Sequence, residues 1–123
     1  MPRILVAEDE KDIRELIAFT LRFAGFDVLL ASNGAEAVEV AEAERPDLVI
    51  LDVRMPKMSG YEACRRLKEN PQTASLPVVF LSAKGQDSEI QQGLESGAEE
   101  YILKPFAPDE LIQQVRDILS RHT

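Results

Sequence analysis

Asp52 ends an apolar run, Leu48-Val49-Ile50-Leu51, and is followed by Val53-Arg54-Met55-Pro56. Four consecutive aliphatic residues suit a strand buried on both faces. An ionised carboxylate set directly after such a run is costly unless partners meet it. Two more acids, Glu8 and Asp9, close the run Ile4-Leu5-Val6-Ala7. Ser82 follows Val78-Val79-Phe80-Leu81, and Lys104 follows Tyr101-Ile102-Leu103. If these runs are parallel strands of one open sheet, all four ends lie on its carboxyl edge, where such sheets bind ligands. Converging carboxylates repel each other and need a positive counterpart. A hard divalent cation held by few protein oxygens suits Mg2+. Mg2+, the Lys104 ammonium and the Ser82 hydroxyl would together accommodate the oxygens of a phosphoryl group. Asp52 could then act as the acceptor and form an acyl phosphate. Singly these residues have ordinary readings: a strand-ending acid, a solvated lysine, a loop serine. Their recurrence at successive strand ends favours the chemical one.

The elements that must position them alternate. After Glu8-Asp9-Glu10, apolar residues at Ile13, Leu16, Ile17, Leu21 and Ala24 have helical spacing, and Gly25 supplies a left-handed cap. Residues 26–31 read as a weaker second strand. Asn33 and Glu36 have capping-box spacing before an Ala/Glu-rich helix that Pro46 stops. Ser59 and Glu62 form a second box, opening a helix with Tyr61, Cys64 and Leu67 along one side. Asn70-Pro71 ends it, and 72–76 is a polar loop. The fourth strand is expected over 77–81, with 82–85 as a loop. A soft helix follows over 87–96, weakened by Gly93 and capped by Gly97. A short fifth strand spans 101–103, broken by Lys104-Pro105. Pro108 suits the first turn of a last helix with Leu111, Ile112, Val115, Ile118 and Leu119 as its apolar stripe. Five β-α units imply an α/β fold, a doubly wound parallel sheet with helices on both faces.

The bulk properties fit one domain over 1–123. Of the 123 residues 45% are hydrophobic and 29% charged, an ordinary soluble composition. A net charge of −8 argues against direct nucleic-acid binding and suits Mg2+ or a basic partner surface. No membrane span or signal peptide is expected. The single cysteine, Cys64, excludes an internal disulfide and fits a cytoplasmic setting; on its helix it reads as a small core residue. His122 reads as solvated.

Over its whole length the chain resembles the response-regulator receiver domain, the CheY-like, flavodoxin-like fold of two-component signal transduction. The matching pieces are Ile4-Leu5-Val6-Ala7-Glu8-Asp9-Glu10; Leu51-Asp52-Val53-Arg54-Met55-Pro56 with Gly60; Leu81-Ser82-Ala83; and Tyr101-Ile102-Leu103-Lys104-Pro105-Phe106. The resemblance implies strand order 2-1-3-4-5 with five helices. It makes Asp52 the phospho-acceptor of a phosphorelay, supplied by a sensor histidine kinase or a histidine phosphotransfer protein. Glu8, Asp9, Asp52 and the backbone carbonyl of Arg54 would bind Mg2+, and Lys104 would pair with the phosphoryl oxygens. Ser82 and Tyr101 would be the switch residues, reshaping the face of the fourth helix, fifth strand and fifth helix toward a downstream target or output domain. A homodimer through that face is a further implied partner. Arg54 and Lys84 occupy the positions that tune dephosphorylation. The kinase-facing surface would be the first helix around Ile13, Arg14 and Ile17, with Phe106-Ala107-Pro108. The Lys104-Pro105 bond is expected cis. Glu8 departs from the commoner aspartate, and its longer side chain would reach the metal directly or through water.

On this reading the chain is not an enzyme beyond catalysing its own phosphorylation and dephosphorylation. A Mg2+-dependent aspartyl phosphatase of the haloacid-dehalogenase type would need a second acid at position 54, where Arg54 stands. A flavin-binding flavodoxin would need a phosphate loop where Glu8-Asp9-Glu10 would repel the phosphate. A docking receiver independent of phosphorylation would not need the acids, Ser82 and Lys104 together.

Overall fold

The computed structural model describes residues 1–83, 100–104 and 106–121, with Ala83, Leu103 and Lys104 described by backbone alone. The expected helix over 87–96, its cap Gly97, Lys84, the Lys104-Pro105 bond and His122 lie outside the described residues. The strands are β1 (Arg3–Ala7), β2 (Asp27–Ala31), β3 (Leu48–Asp52), β4 (Val78–Ala83) and β5 (Glu100–Lys104). The described helices are α1 (Lys11–Phe23), α2 (Gly34–Glu44), α3 (Gly60–Glu69) and α4 (Pro108–Arg121), the last being the helix expected as fifth. All strand pairs are parallel, in the order β2-β1-β3-β4-β5.

Every residue of β3 is buried, so the central strand has no solvent face. Its side chains alternate between two cores. Val49 and Leu51 pack with Leu5, Ala37, Ala41, Tyr61, Cys64, Leu67 and Phe80 beneath α2 and α3. Leu48 and Ile50 pack with Ile4, Val6, Ile17, Leu21, Leu81, Leu111, Val115 and Ile118 beneath α1 and α4. The weaker β2 is an edge strand, exposed at Asp27 and Leu30.

Helix ends follow local chemistry. Beyond α1, Gly25 has φ +99°; its N–H donates to the Arg22 carbonyl and that of Phe26 to Leu21, the paired bonds of a Schellman motif. Asn33 accepts from Glu36 N–H at 2.8 Å, but the Glu36 carboxylate returns to Ser32 N–H, one residue earlier than a capping box places it. Ser59 accepts from Glu62 N–H, while the Glu62 carboxylate turns outward to Arg65 and Arg66.

Two expectations are corrected, and the expected polar loop over 72–76 is found. Ser82 and Ala83 belong to β4, not to a loop, and pair with Leu103 and Lys104 of a longer β5. Leu16 is not on the core face of α1; it is exposed, in line with Phe19 and Phe23. The 72–76 stretch is polar but anchored: buried Thr73 donates to the Leu67 carbonyl, and Lys68 donates to the carbonyls of Ala74 and Leu76.

The loop between β3 and α3 turns on Lys57, whose φ is +68°, with Met58 N–H donating to the Pro56 carbonyl at 2.7 Å. A three-residue turn with positive φ is strained for a residue with a Cβ. Lys57→Gly is expected to stabilise the fold by up to about 1 kcal/mol, strain relief outweighing the extra freedom glycine gives the unfolded chain. Urea unfolding checks this, and a loss of stability would mean that the Lys57 side chain itself contributes.

Candidate functional site

The sheet register places the chemistry. Ala7 lies opposite Leu51 and Asp52 opposite Leu81, so Glu8, Asp52 and Ser82 emerge together at the carboxyl edge. Lys104 ends β5 opposite Ala83, at the same edge. Its side chain lies outside the described residues. Tyr101 is half-buried on β5, its ring 5.6 Å from that of Phe80.

One carboxylate oxygen from each of Glu8, Asp9 and Asp52 lies within 4.8 Å of the other two. Glu8 is fully buried and Asp52 only 7% exposed, whereas Asp9 is open to solvent. The donor set is all oxygen and all carboxylate, which fits a hard divalent cation, and the exposed side leaves room for coordinated water. These residues could therefore hold a metal ion. Beside them a cavity is lined by Asp9, Arg54, Met55, Pro56 and Tyr61.

The end of β3 is held by a close backbone contact with α3. Gly60 N–H donates to the Val53 carbonyl at 2.9 Å, and a Cβ at Gly60 would lie 2.3 Å from the Asp52 carbonyl oxygen. Gly34 presses on the same loop, since a Cβ there would lie 2.1 Å from the Met58 carbonyl oxygen. Only the spacing of Gly60 from Asp52 was visible in the sequence; Gly34 carried no signal there.

The three carboxylates repel one another at this distance, a repulsion that a bound cation would offset. At about 4 Å and an effective dielectric of about 20, two unit charges interact by about 4 kcal/mol, and exposure at Asp9 reduces this. Asp52→Asn keeps the side-chain shape and is expected to be about 1–2 kcal/mol more stable than the parent chain in Mg2+-free buffer. The gap should narrow in Mg2+, which favours the parent chain by binding its native state. Urea titrations with and without Mg2+ test the sign.

The profile of the response regulator receiver domain family matches residues 4–116. The chain belongs to that family. Receiver domains are the phospho-acceptor modules of two-component response regulators, and this is the role of the chain. It is 44% identical over 118 residues to the phosphate regulon transcriptional regulatory protein PhoB of Pseudomonas aeruginosa, covering 96% of this chain and 52% of that protein. It is 40% identical over 121 residues to the DNA-binding dual master transcriptional regulator RpaA of Synechocystis, covering 98% and 50%. The chain thus spans about half the length of the curated relatives it matches. Among solved structures, the signal receiver domain of a signal transduction histidine kinase from Syntrophus aciditrophicus superimposes with a TM-score of 0.91 at 36% identity, covering 98% of this chain and 92% of that one. Chemotaxis protein CheY4 of Vibrio cholerae gives 0.90 at 31%, covering 96% and 98%.

The receiver's first helix corrects one expectation about partners. Ile17 is fully buried against the sheet and cannot face a kinase. The exposed large apolar side chains of α1 are Leu16, Phe19 and Phe23, at 54%, 68% and 83%, among exposed Lys11, Asp12, Glu15 and Arg22. Phe19 and Phe23 stack with centroids 6.4 Å apart. Among the described residues no helix is long and apolar enough to cross a membrane.

Proposed function

We propose that the receiver takes a phosphoryl group onto Asp52 from the phosphohistidine of a sensor kinase or a histidine phosphotransfer protein. The observation that carries this reading is the clustering of the Glu8, Asp9 and Asp52 carboxylates at the end of a fully buried strand. An Asp52 carboxylate oxygen attacks phosphorus as the N–P bond to the donor imidazole breaks, and the imidazole leaves with its electron pair and takes up a proton. Glu8, Asp9, Asp52 and the Arg54 backbone carbonyl are the residues that would hold Mg2+. When bound, it supplies positive charge to the phosphoryl oxygens. Lys104, by resemblance, pairs with those oxygens from β5. Ser82, buried one residue past the partner of Asp52, donates its hydroxyl to them, and Tyr101 moves with it. The two-state change alters the face that includes β5 and α4, which meets a downstream target, an attached output domain or a second copy.

By resemblance the phosphoryl donor docks on α1 around Ile13 and Arg14, with the Phe106-Ala107-Pro108 segment; Ile13 and Phe106 pack against the same core. The single cysteine, Cys64, supports a cytoplasmic setting. We infer one domain over 1–123, with no catalytic activity beyond its own phosphorylation and dephosphorylation. Arg54, which lines the cavity beside Asp9, and Lys84 tune hydrolysis; Arg54→Ala and Lys84→Ala should change the phospho-aspartate half-life, and an unchanged half-life in both removes them from that role.

Incubation with acetyl phosphate and Mg2+ followed by intact-mass measurement tests the main reading. The parent chain should gain one phosphoryl group and Asp52→Asn none. A folded, Mg2+-binding parent chain that gains no mass would overturn it.

A further inference from the structure

Arg14 lies in the second turn of α1, where a solvated arginine would be unremarkable. It is instead part-buried, and its Nη1 donates to the backbone carbonyl of Glu8 at 2.8 Å and reaches that of Asp9 at 3.5 Å. These are the two residues whose side chains carry the acid pair. On the other side of Glu8, its N–H donates to the Ala31 carbonyl of the edge strand at 3.1 Å. The peptide groups flanking Glu8 are thus held from both sides, by β2 and by the Arg14 guanidinium.

We infer that Arg14 is a positioning residue for the cation site: by clamping the backbone carbonyls of the acidic turn it aims Glu8 and Asp9 at the position the metal takes. This rests on the Mg2+ reading above. Glu8 is the ligand that most needs a fixed backbone. It is fully buried, yet its carboxylate must meet those of Asp9 and Asp52 within 4.8 Å. Glutamate has one more rotatable bond than aspartate, so its carboxylate is placed only if its backbone is fixed. A guanidinium suits this task because its fork donates several hydrogen bonds in one fixed plane. Engaged with carbonyls, it is also held back from pairing with the carboxylates and competing with the cation. Groups that orient metal ligands typically change metal affinity 10–100-fold when removed.

Charge alone makes the opposite prediction, which is what makes the inference testable. A fixed positive group near a cation site repels the cation, so its removal should tighten binding. Calorimetric titration of MgCl2 into the metal-free parent chain, Arg14→Ala, Arg14→Lys and Asp9→Asn separates the two. Arg14→Ala is expected to bind Mg2+ about tenfold more weakly while unfolding cooperatively. Arg14→Lys keeps the charge and one donor and should recover part of the affinity. Unchanged or tighter Mg2+ binding by Arg14→Ala, with the parent chain binding normally and Asp9→Asn weakened, overturns the inference and leaves the metal reading standing. Absence of Mg2+ binding by the parent chain overturns the metal reading and this inference with it. Should Arg14→Ala fail to fold, Arg14→Gln, which retains a planar donor without charge, gives the same comparison.

Discussion

Gly60→Ala is expected to destabilise the receiver by about 3 kcal/mol and to slow phosphorylation of Asp52. Two effects oppose each other. Alanine is a better helix former than glycine by about 1 kcal/mol in a helix interior, and Gly60 opens α3, where that gain is smaller. Against it, the added Cβ would lie 2.3 Å from the Asp52 carbonyl oxygen, 3.0 Å from the Asp52 carbonyl carbon and 3.2 Å from Phe80 Cε1. Two of these are backbone atoms of a fully buried strand, which no rotamer change can move aside. Overpacking a rigid core typically costs about 1–3 kcal/mol, and contact with buried backbone belongs at the upper end. The atom displaced belongs to Asp52, the proposed phospho-acceptor, so a small shift there would also misplace its carboxylate. Urea unfolding with an unchanged slope, alongside the acetyl phosphate rate, reads both effects. A stability within about 0.5 kcal/mol of the parent chain would mean that α3 moves away from the strand at little cost.

Much of the fold was legible because β3 and its neighbours have no solvent face. Leu48-Val49-Ile50-Leu51 needs burial on both sides whatever surrounds it, and that alone places Asp52 at a strand end. The α1 side chains were harder for a definite reason. The helix carries two apolar stripes, one of Ile13, Ile17 and Leu21 and another of Leu16, Phe19 and Phe23. Helical spacing groups Leu16 with Ile13, Ile17, Leu21 and Ala24, and the second stripe is not singled out. The structure buries Ile17 and Leu21 against the sheet and leaves Leu16 and the two phenylalanines outside. Ser82 misled in a different way: a hydroxyl after four apolar residues resembles a strand end, but the ladder with Leu103 extends β4 past it. The Glu8, Asp9 and Asp52 cluster could be anticipated because strand ends align at one edge. The Arg14 clamp and the Gly60 contact could not, since both are made to backbone carbonyls across short loops, which side-chain periodicity does not report.

Phe80→Ala is expected to cost about 3–5 kcal/mol, the range for emptying a buried aromatic site. Phe80 is fully buried on β4, and its ring stands edge-on to Tyr61 at 5.3 Å and tilted to Tyr101 at 5.6 Å. Each such aromatic pair adds about 0.5–1.5 kcal/mol beyond burial. The cavity left by alanine would open between α3, β3 and β5 and is too hemmed in to collapse fully. Phe80→Leu separates volume from ring geometry. Leucine refills most of the space, so its cost should fall to about 1–2 kcal/mol, of which the lost ring contacts are the larger part. The difference bears on signalling. Tyr61 lines the cavity beside Asp9, Tyr101 is the switch residue implied by resemblance, and Phe80 is the ring that touches both. Phe80→Leu should therefore still accept a phosphoryl group from acetyl phosphate, while the change in the Tyr101 ring resonances on phosphorylation is reduced. An unaltered Tyr101 response in a stably folded Phe80→Leu would show that the switch residue moves independently of this ring.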